Sequence, residues 1–194
     1  KQVKVQKNLL GELYADLHWD SPEVSERFLA LLFKVVGKLN TRKTSSLLDR
    51  VITTLNSKKT GTRCLTQTSL SDGLKVAGLI GSVKKEFFVP GPLSHQDPMK
   101  FELSLEKAAN LIENILQMFK ESVPDNWELG DKAGGYLCTN IGIRAIFLVV
   151  KDICDHIKGT MDLTYLNAEE LTNEIEKYLK PLLIYFAEAT PQGF

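Results

Sequence analysis

The chain has 194 residues, 43% of them hydrophobic, with 24 Lys and Arg against 24 Asp and Glu and a formal net charge of zero. That size is enough to bury roughly 70% of the unfolded surface, so no disulfide or metal staple is needed for stability. No apolar run approaches the roughly 20 residues needed to cross a bilayer, since the longest candidate, Ile141–Val150, is broken by Gly142 and Arg144.

The neutrality is only a sum. Residues 1–97 carry fifteen basic and nine acidic side chains and residues 98–194 carry nine and fifteen, so the halves stand at +6 and −6. Such a split turns one end of the molecule toward polyanions and the other away from them. Cys64, Cys138 and Cys154 are odd in number and widely spaced, without a Cys-x-x-Cys pair. This usage fits reduced thiols in the cytoplasm.

Helical signals come first, over Asn8–Asp16. Ser21-Pro22-Glu23 then offers a cap, a proline for the first turn and an acid for the dipole. Behind it, Val24, Phe28, Leu31, Leu32, Val35, Val36 and Leu39 recur at three and four residues and predict a buried helical face. Thr44 or Ser45 would cap a third helix through Leu47, Leu48, Val51, Ile52 and Leu55. Asn56–Arg63 reads as a turn or hairpin tip, and Leu65 and Thr66 as a short strand.

A helix is expected over Ser69–Ile80, weakened by Gly73 and Gly78. Phe87-Phe88-Val89 leads in extended form to Pro90-Gly91-Pro92, and Pro90–Asp97 is the candidate hinge between the basic and acidic halves. Asp97-Pro98 opens the clearest helix, with Phe101, Leu105, Ala108, Ile112, Ile115 and Phe119 in register up to Pro124. After a loop at Asp131–Gly135, Ile143–Val150 is apolar on almost every side, the pattern of a central helix. Asn167-Ala168-Glu169-Glu170 is a capping box for the last helix, and Pro181 is expected to kink or restart it.

The densest basic segment holds Lys34, Lys38, Arg42, Lys43, Arg50, Lys58, Lys59 and Arg63 against one acid, Asp49. Interleaved Ser and Thr residues and helix-start amides add donors for phosphate oxygens. A solvated helix face followed by a basic loop would give the same run. His18 with Asp20 and His95 with Asp97 bring metal-type ligands near helix starts, but their spacing matches no ligand pattern. No nucleophile elbow, phosphate-cradling glycine loop, H-E-x-x-H helix or Cys/His motif is present, so no catalytic residues and no cofactor are expected. Arg144 falls in the first turn of a helix, against the dipole, a position that asks for a nearby carboxylate.

Three stretches carry a family resemblance: Gln2 with Val5-Gln6-Lys7-Asn8-Leu9-Leu10-x-Glu12-Leu13; Thr62-Arg63-Cys64-Leu65-Thr66-Gln67-Thr68-Ser69-Leu70; and Leu137-Cys138-Thr139-Asn140-x-Gly142-Ile143-Arg144-Ala145. In order over most of residues 1–157, they resemble the region after the signature motif in the DGQHR-domain family, which includes the DndB-type proteins of DNA phosphorothioation systems. The signature string itself is absent and would be expected upstream of Lys1. The resemblance implies DNA binding and regulation in a modification-linked defence system.

The sequence therefore predicts an all-α or nearly all-α, multi-helix bundle with at most a short β-hairpin near residues 56–66. It forms a single helical region over 1–194, taken as the C-terminal part of a longer cytoplasmic protein. Its expected role is a DNA-binding or regulatory accessory region that contacts phosphates through Lys34, Lys38, Arg42, Lys43, Arg50, Lys58, Lys59 and Arg63. The competing reading is a protein-protein interaction or oligomerisation module without nucleic-acid affinity, and neither reading involves a membrane.

Overall fold

The apolar stripe beginning at Val24 becomes a helix whose buried face runs Phe28, Leu31, Leu32, Val35, Val36 and Leu39. In the computed structural model, which describes residues 9–52 and 60–189, this helix is α2 (Val24–Thr41), after a short α1 (Leu9–Leu17). The order continues β1 (Val51–Ile52), β2 (Leu65–Thr66), α3 (Gln67–Ala77), β3 (Gly81–Lys84), β4 (Phe87–Pro90), α4 (Phe101–Ser122), α5 (Pro124–Leu129), α6 (Asn140–Lys158) and α7 (Ala168–Ala189). The mostly helical class is as the sequence predicts.

Helix α2 packs on α1, α3 and α4. Helix α4 also packs on α7, and α3 on α6. One apolar core draws on all of these, from Phe28 through Leu111 and Phe147 to Leu179. The proposed hinge segment is tied into that core. The Gly91 and Leu93 amides donate to Ile80 O and Leu79 O, both at 2.9 Å, and Leu93 and Ser94 are fully buried.

Three local expectations change. The third helix does not form over the described residues 43–52, where 43–50 make successive turns. Its apolar spacing is helical, but Ser45 Oγ accepts the Leu47 amide at 3.1 Å, Asp49 adopts φ 56°, and Asn40 Oδ1 takes the Val51 amide at 3.0 Å. Serines that bond their neighbours' backbone and β-branched Val51 and Ile52 favour turn and strand over helix. Of the short hairpin expected near 56–66, the described residues show its end, and Leu65–Thr66 beyond it pairs in parallel with Val51–Ile52. An antiparallel bridge joins Thr60 and Arg63, and residues 53–59 lie outside the described residues.

A hairpin also forms at β3–β4, closed by Lys85 and Glu86 at φ 47° and 68°. A two-residue turn with positive φ at both positions usually carries Asn or Gly, which is why the pattern hid it. Lastly, α6 is not a central helix buried on every side, because Ile143, Ile146, Phe147 and Val150 are buried while Arg144, Ala145 and Leu148 face solvent.

The helix starts of α6 and α7 carry caps, whereas α2 begins at Val24 behind Glu23 with no side-chain cap bond, so Ser21-Pro22 does not cap it as expected. Thr139 Oγ1 accepts the Gly142 amide at 3.0 Å to start α6. Asn167 and Glu170 exchange backbone-to-side-chain bonds of 2.9 Å each to start α7, and α7 continues through Pro181. Gly142 also sits against the preceding loop, where an added Cβ would overlap Tyr136 O and Leu137 O. Helix propensity alone would make Gly142→Ala stabilising by about 1 kcal/mol. We expect the opposite, a loss of about 2–3 kcal/mol from overpacking, seen as a lower urea midpoint with an unchanged slope.

Candidate nucleic-acid interface

Lys34 and Lys38 are four residues apart on one face of α2, and Arg42, the extended residue that caps its C-terminus, follows them. These three do not face water freely. Lys34 Nζ lies 2.7 Å from Asp16 Oδ1 of α1 and 5.1 Å from the Trp19 ring centroid. Lys38 bonds Glu106 of α4. Arg42 reaches Glu106 at 2.7 Å, Glu113 at 3.3 Å and Asn110 Oδ1 at 2.5 Å, while Thr44 donates to Glu113. The bond from Lys38, followed by the charges of Lys38 and Arg42, holds the Glu106 carboxyl below its ordinary 4.5.

Arg50 is buried for a different purpose. Its guanidinium donates to Trp127 O at 3.3 Å, approaches Cys138 Sγ at 3.8 Å and bonds Glu128. The Trp127 indole in turn donates to Ser46 O at 3.3 Å, so this arginine and the indole pin the 43–50 turns onto α5. Asn126 of α5 accepts the Tyr136 and Leu137 amides at 3.2 and 3.1 Å, holding the loop that leads into α6. Arg63 spends its Nε–H on Asp49 O at 3.0 Å, and its Nη2 lies 3.7 Å from the Asp49 carboxylate, leaving the side chain 47% exposed. Lys43 is exposed and makes no ion pair among the described residues. Lys58 and Lys59 lie outside the described residues.

The eight cations thus divide. Lys34, Lys38 and Arg42 form a seam with acids of α1 and α4, Arg50 is a buried tie, and Lys43 and Arg63 are the outward pair among the described residues. Glu106 and Glu113 stand seven residues apart on one face of α4, a pattern visible in the sequence, but nothing in the sequence sets that face against α2. Composition revealed an imbalance between the halves, while the structure sets much of one half's excess against the other's.

The remaining candidates are occupied locally. His18 Nδ1 bonds Glu26 at 2.7 Å, and the Ser21 hydroxyl, followed by this bond, lowers the Glu26 carboxyl. His95 accepts the Asp97 amide at 3.0 Å. Among the described residues, no three His, Cys, Asp or Glu side chains gather to hold a metal ion. Burial pushes the Cys138 and Cys154 thiols up to about 12, which removes the thiolate a nucleophile needs. No described helix is long and apolar enough to cross a membrane.

Comparison of the chain with protein-family models, with curated proteins and with solved structures gives no match.

Because Glu106 is held below 4.5, the seam's contribution is complete above that pH and is lost as pH falls through the depressed value. Arg42→Met leaves Glu113, whose side chain is 14% exposed, without its cation. We expect a loss of about 1–2 kcal/mol at pH 7, and the gap to the parent protein should narrow on acidification as the carboxylates protonate. Urea midpoints at neutral and acid pH measure both.

Proposed function

We propose that this chain is a non-catalytic assembly region of a DGQHR-type protein, and that it pairs with a second copy of itself through the outer face of α6. The observation that carries this is Arg144. It is the fifth residue of α6, exposed near the N-terminal end where the dipole gives a cation no support, and it makes no ion pair among the described residues. Exposed apolar side chains stand three and four residues away on the same helix and on the neighbouring α3. Ile141 is 83% and Leu148 46% exposed on α6, and Val76 on α3 is 65% exposed. A Cβ at Gly73 would lie 2.8 Å from Arg144 Cγ and 3.2 Å from the Phe147 ring, so α3 runs beside this face of α6.

Arg144, Leu148 and Asp152 form one ridge at intervals of four, with a cation at one end, an apolar group in the middle and a carboxylate at the other. Laid antiparallel on a copy of itself, this ridge centres Leu148 on Leu148 and sets each Arg144 against the other chain's Asp152, the self-complementarity a two-fold interface requires. Asp152 is open for that role: its side chain is 82% exposed, and Lys151, 3.9 Å away, is engaged by Asp155.

The family part of the proposal is supported by the way the quoted stretches meet. Gly11 abuts the Gln67 side chain, Cys64 Sγ donates to Cys138 O at 3.1 Å, and Asn140 Oδ1 accepts the Thr66 amide at 3.0 Å. The described part of the first segment, from residue 9 on, and the other two segments are thereby neighbours in space as well as ordered in sequence.

Sedimentation across a concentration series should show a monomer–dimer equilibrium, weakened by Arg144→Asp and by Asp152→Arg alone and restored when both are combined. A single monomeric species at every concentration overturns the pairing.

DNA binding remains a second reading on a narrower footing, carried by Lys43 and Arg63, which flank the segment bearing Lys58 and Lys59. About four phosphate contacts would give a log–log salt slope near −4. The assembly reading predicts no DNA complex in a gel-shift salt series. A complex with that slope, abolished by Lys43→Glu with Arg63→Glu, would decide for DNA.

A further inference from the structure

A cavity of about 370 Å³ lies between α4, the segment around His95 and the connection from α6 to α7. Leu103, Tyr165 and Leu166 give it apolar walls, and Lys107, Asn110 and His95 line it together with Gln96, Thr164 and Asn167. What Lys107, Asn110 and His95 have left to offer follows from the bonds they already make.

Lys107 Nζ donates to Leu163 O and Thr164 O, both at 3.1 Å, and an ammonium has three protons, so one donor remains. No carboxylate among the described residues pairs with it. Asn110 receives a bond from the Arg42 guanidinium, which can only donate; this fixes the amide with Oδ1 toward Arg42 and leaves its NH2 group to spend. His95 Nδ1 accepts the Asp97 amide, which places the ring proton on Nε2. Lys107, Asn110 and His95 therefore each have a donor to offer and no acceptor, while of the other polar lining residues Thr164 gives its hydroxyl proton to Asp162, Asn167 Oδ1 is taken by the Glu170 amide, and the Gln96 amide can turn its NH2 group inward.

We propose that this cavity binds a small carboxylic acid as its carboxylate, with the acid's apolar body against Leu103, Tyr165 and Leu166. A monoanion fits better than a phosphate. The site supplies one cation, and Asp162 and Glu170 lie near enough to act on it, so a second negative charge on the ligand would meet repulsion. Burial, opposed by Asp162, Cys154 and Glu170, brings the Lys107 ammonium down to about 8, so the amine is poorly hydrated and stands to gain from a counter-charge. The proposal is independent of self-association, because the cavity does not include α6.

The test is an amide NMR titration of the whole chain with 3-phenylpropionate and, separately, 3-phenylpropanamide, which keeps the shape and loses the charge. The acid should bind in the millimolar range, with shifts centred on Leu103, Lys107 and Tyr165, and the amide about tenfold more weakly. Lys107→Met should abolish the difference between acid and amide, and His95→Phe, on a connecting segment, should weaken the acid alone if the lysine variant does not fold. Equal binding of acid and amide, shifts located elsewhere, or no shifts at tens of millimolar would each overturn the assignment.

Discussion

The charged seam between α2 and α4 governs how the rest of the surface is to be understood. Arg42 holds two carboxylates and an amide of α4 at once, and Lys38 shares one of them. Partly exposed pairs of this kind contribute modestly one by one, but a network with two acids on one guanidinium fixes the register of two long helices. It also consumes the cations that a count along the chain would assign to a polyanion. The division of the sequence into a basic and an acidic half is, at this seam, the mark of an internal contact between them.

Asn110 links that seam to the cavity on the other flank of α4. Its carbonyl serves Arg42 and its NH2 group is left for the cavity, so loss of Arg42 would free the amide to rotate and present an acceptor where a donor stood. A perturbation in the seam would then reach the cavity through one side chain, with no movement of the backbone required.

Much of the fold was legible because helices with one buried stripe announce themselves. The faces of α2 and α4, the Thr66–Leu65 strand residues and the capping box before α7 all follow from local pattern. The misses have a common cause, in that tertiary partners overrode spacing. Asn40 and Trp127 hold residues 43–51 out of the helix their apolar period suggests, and Lys85-Glu86 closes a hairpin without the usual turn residues. Leu148 shows the limit from the other side: an apolar residue in an apolar run reads as core, and only packing reveals that it faces outward. The cavity was invisible for a related reason, since Lys107 and His95 gain meaning from carbonyl and amide partners that no side-chain pattern records.

The two tryptophans sit in contrasting surroundings. Trp127 is sealed at the junction of α5 with the 43–50 turns, whereas Trp19 is half-buried beneath Lys34 where α1 meets α2, its ring 6.2 Å from that of Phe101. The sealed indole should emit toward the blue and the wetter one toward the red. Detachment of α1 would therefore alter the long-wavelength emission alone, while collapse of the central junction would shift the whole spectrum, giving the molecule two built-in optical reporters for two separate stages of unfolding.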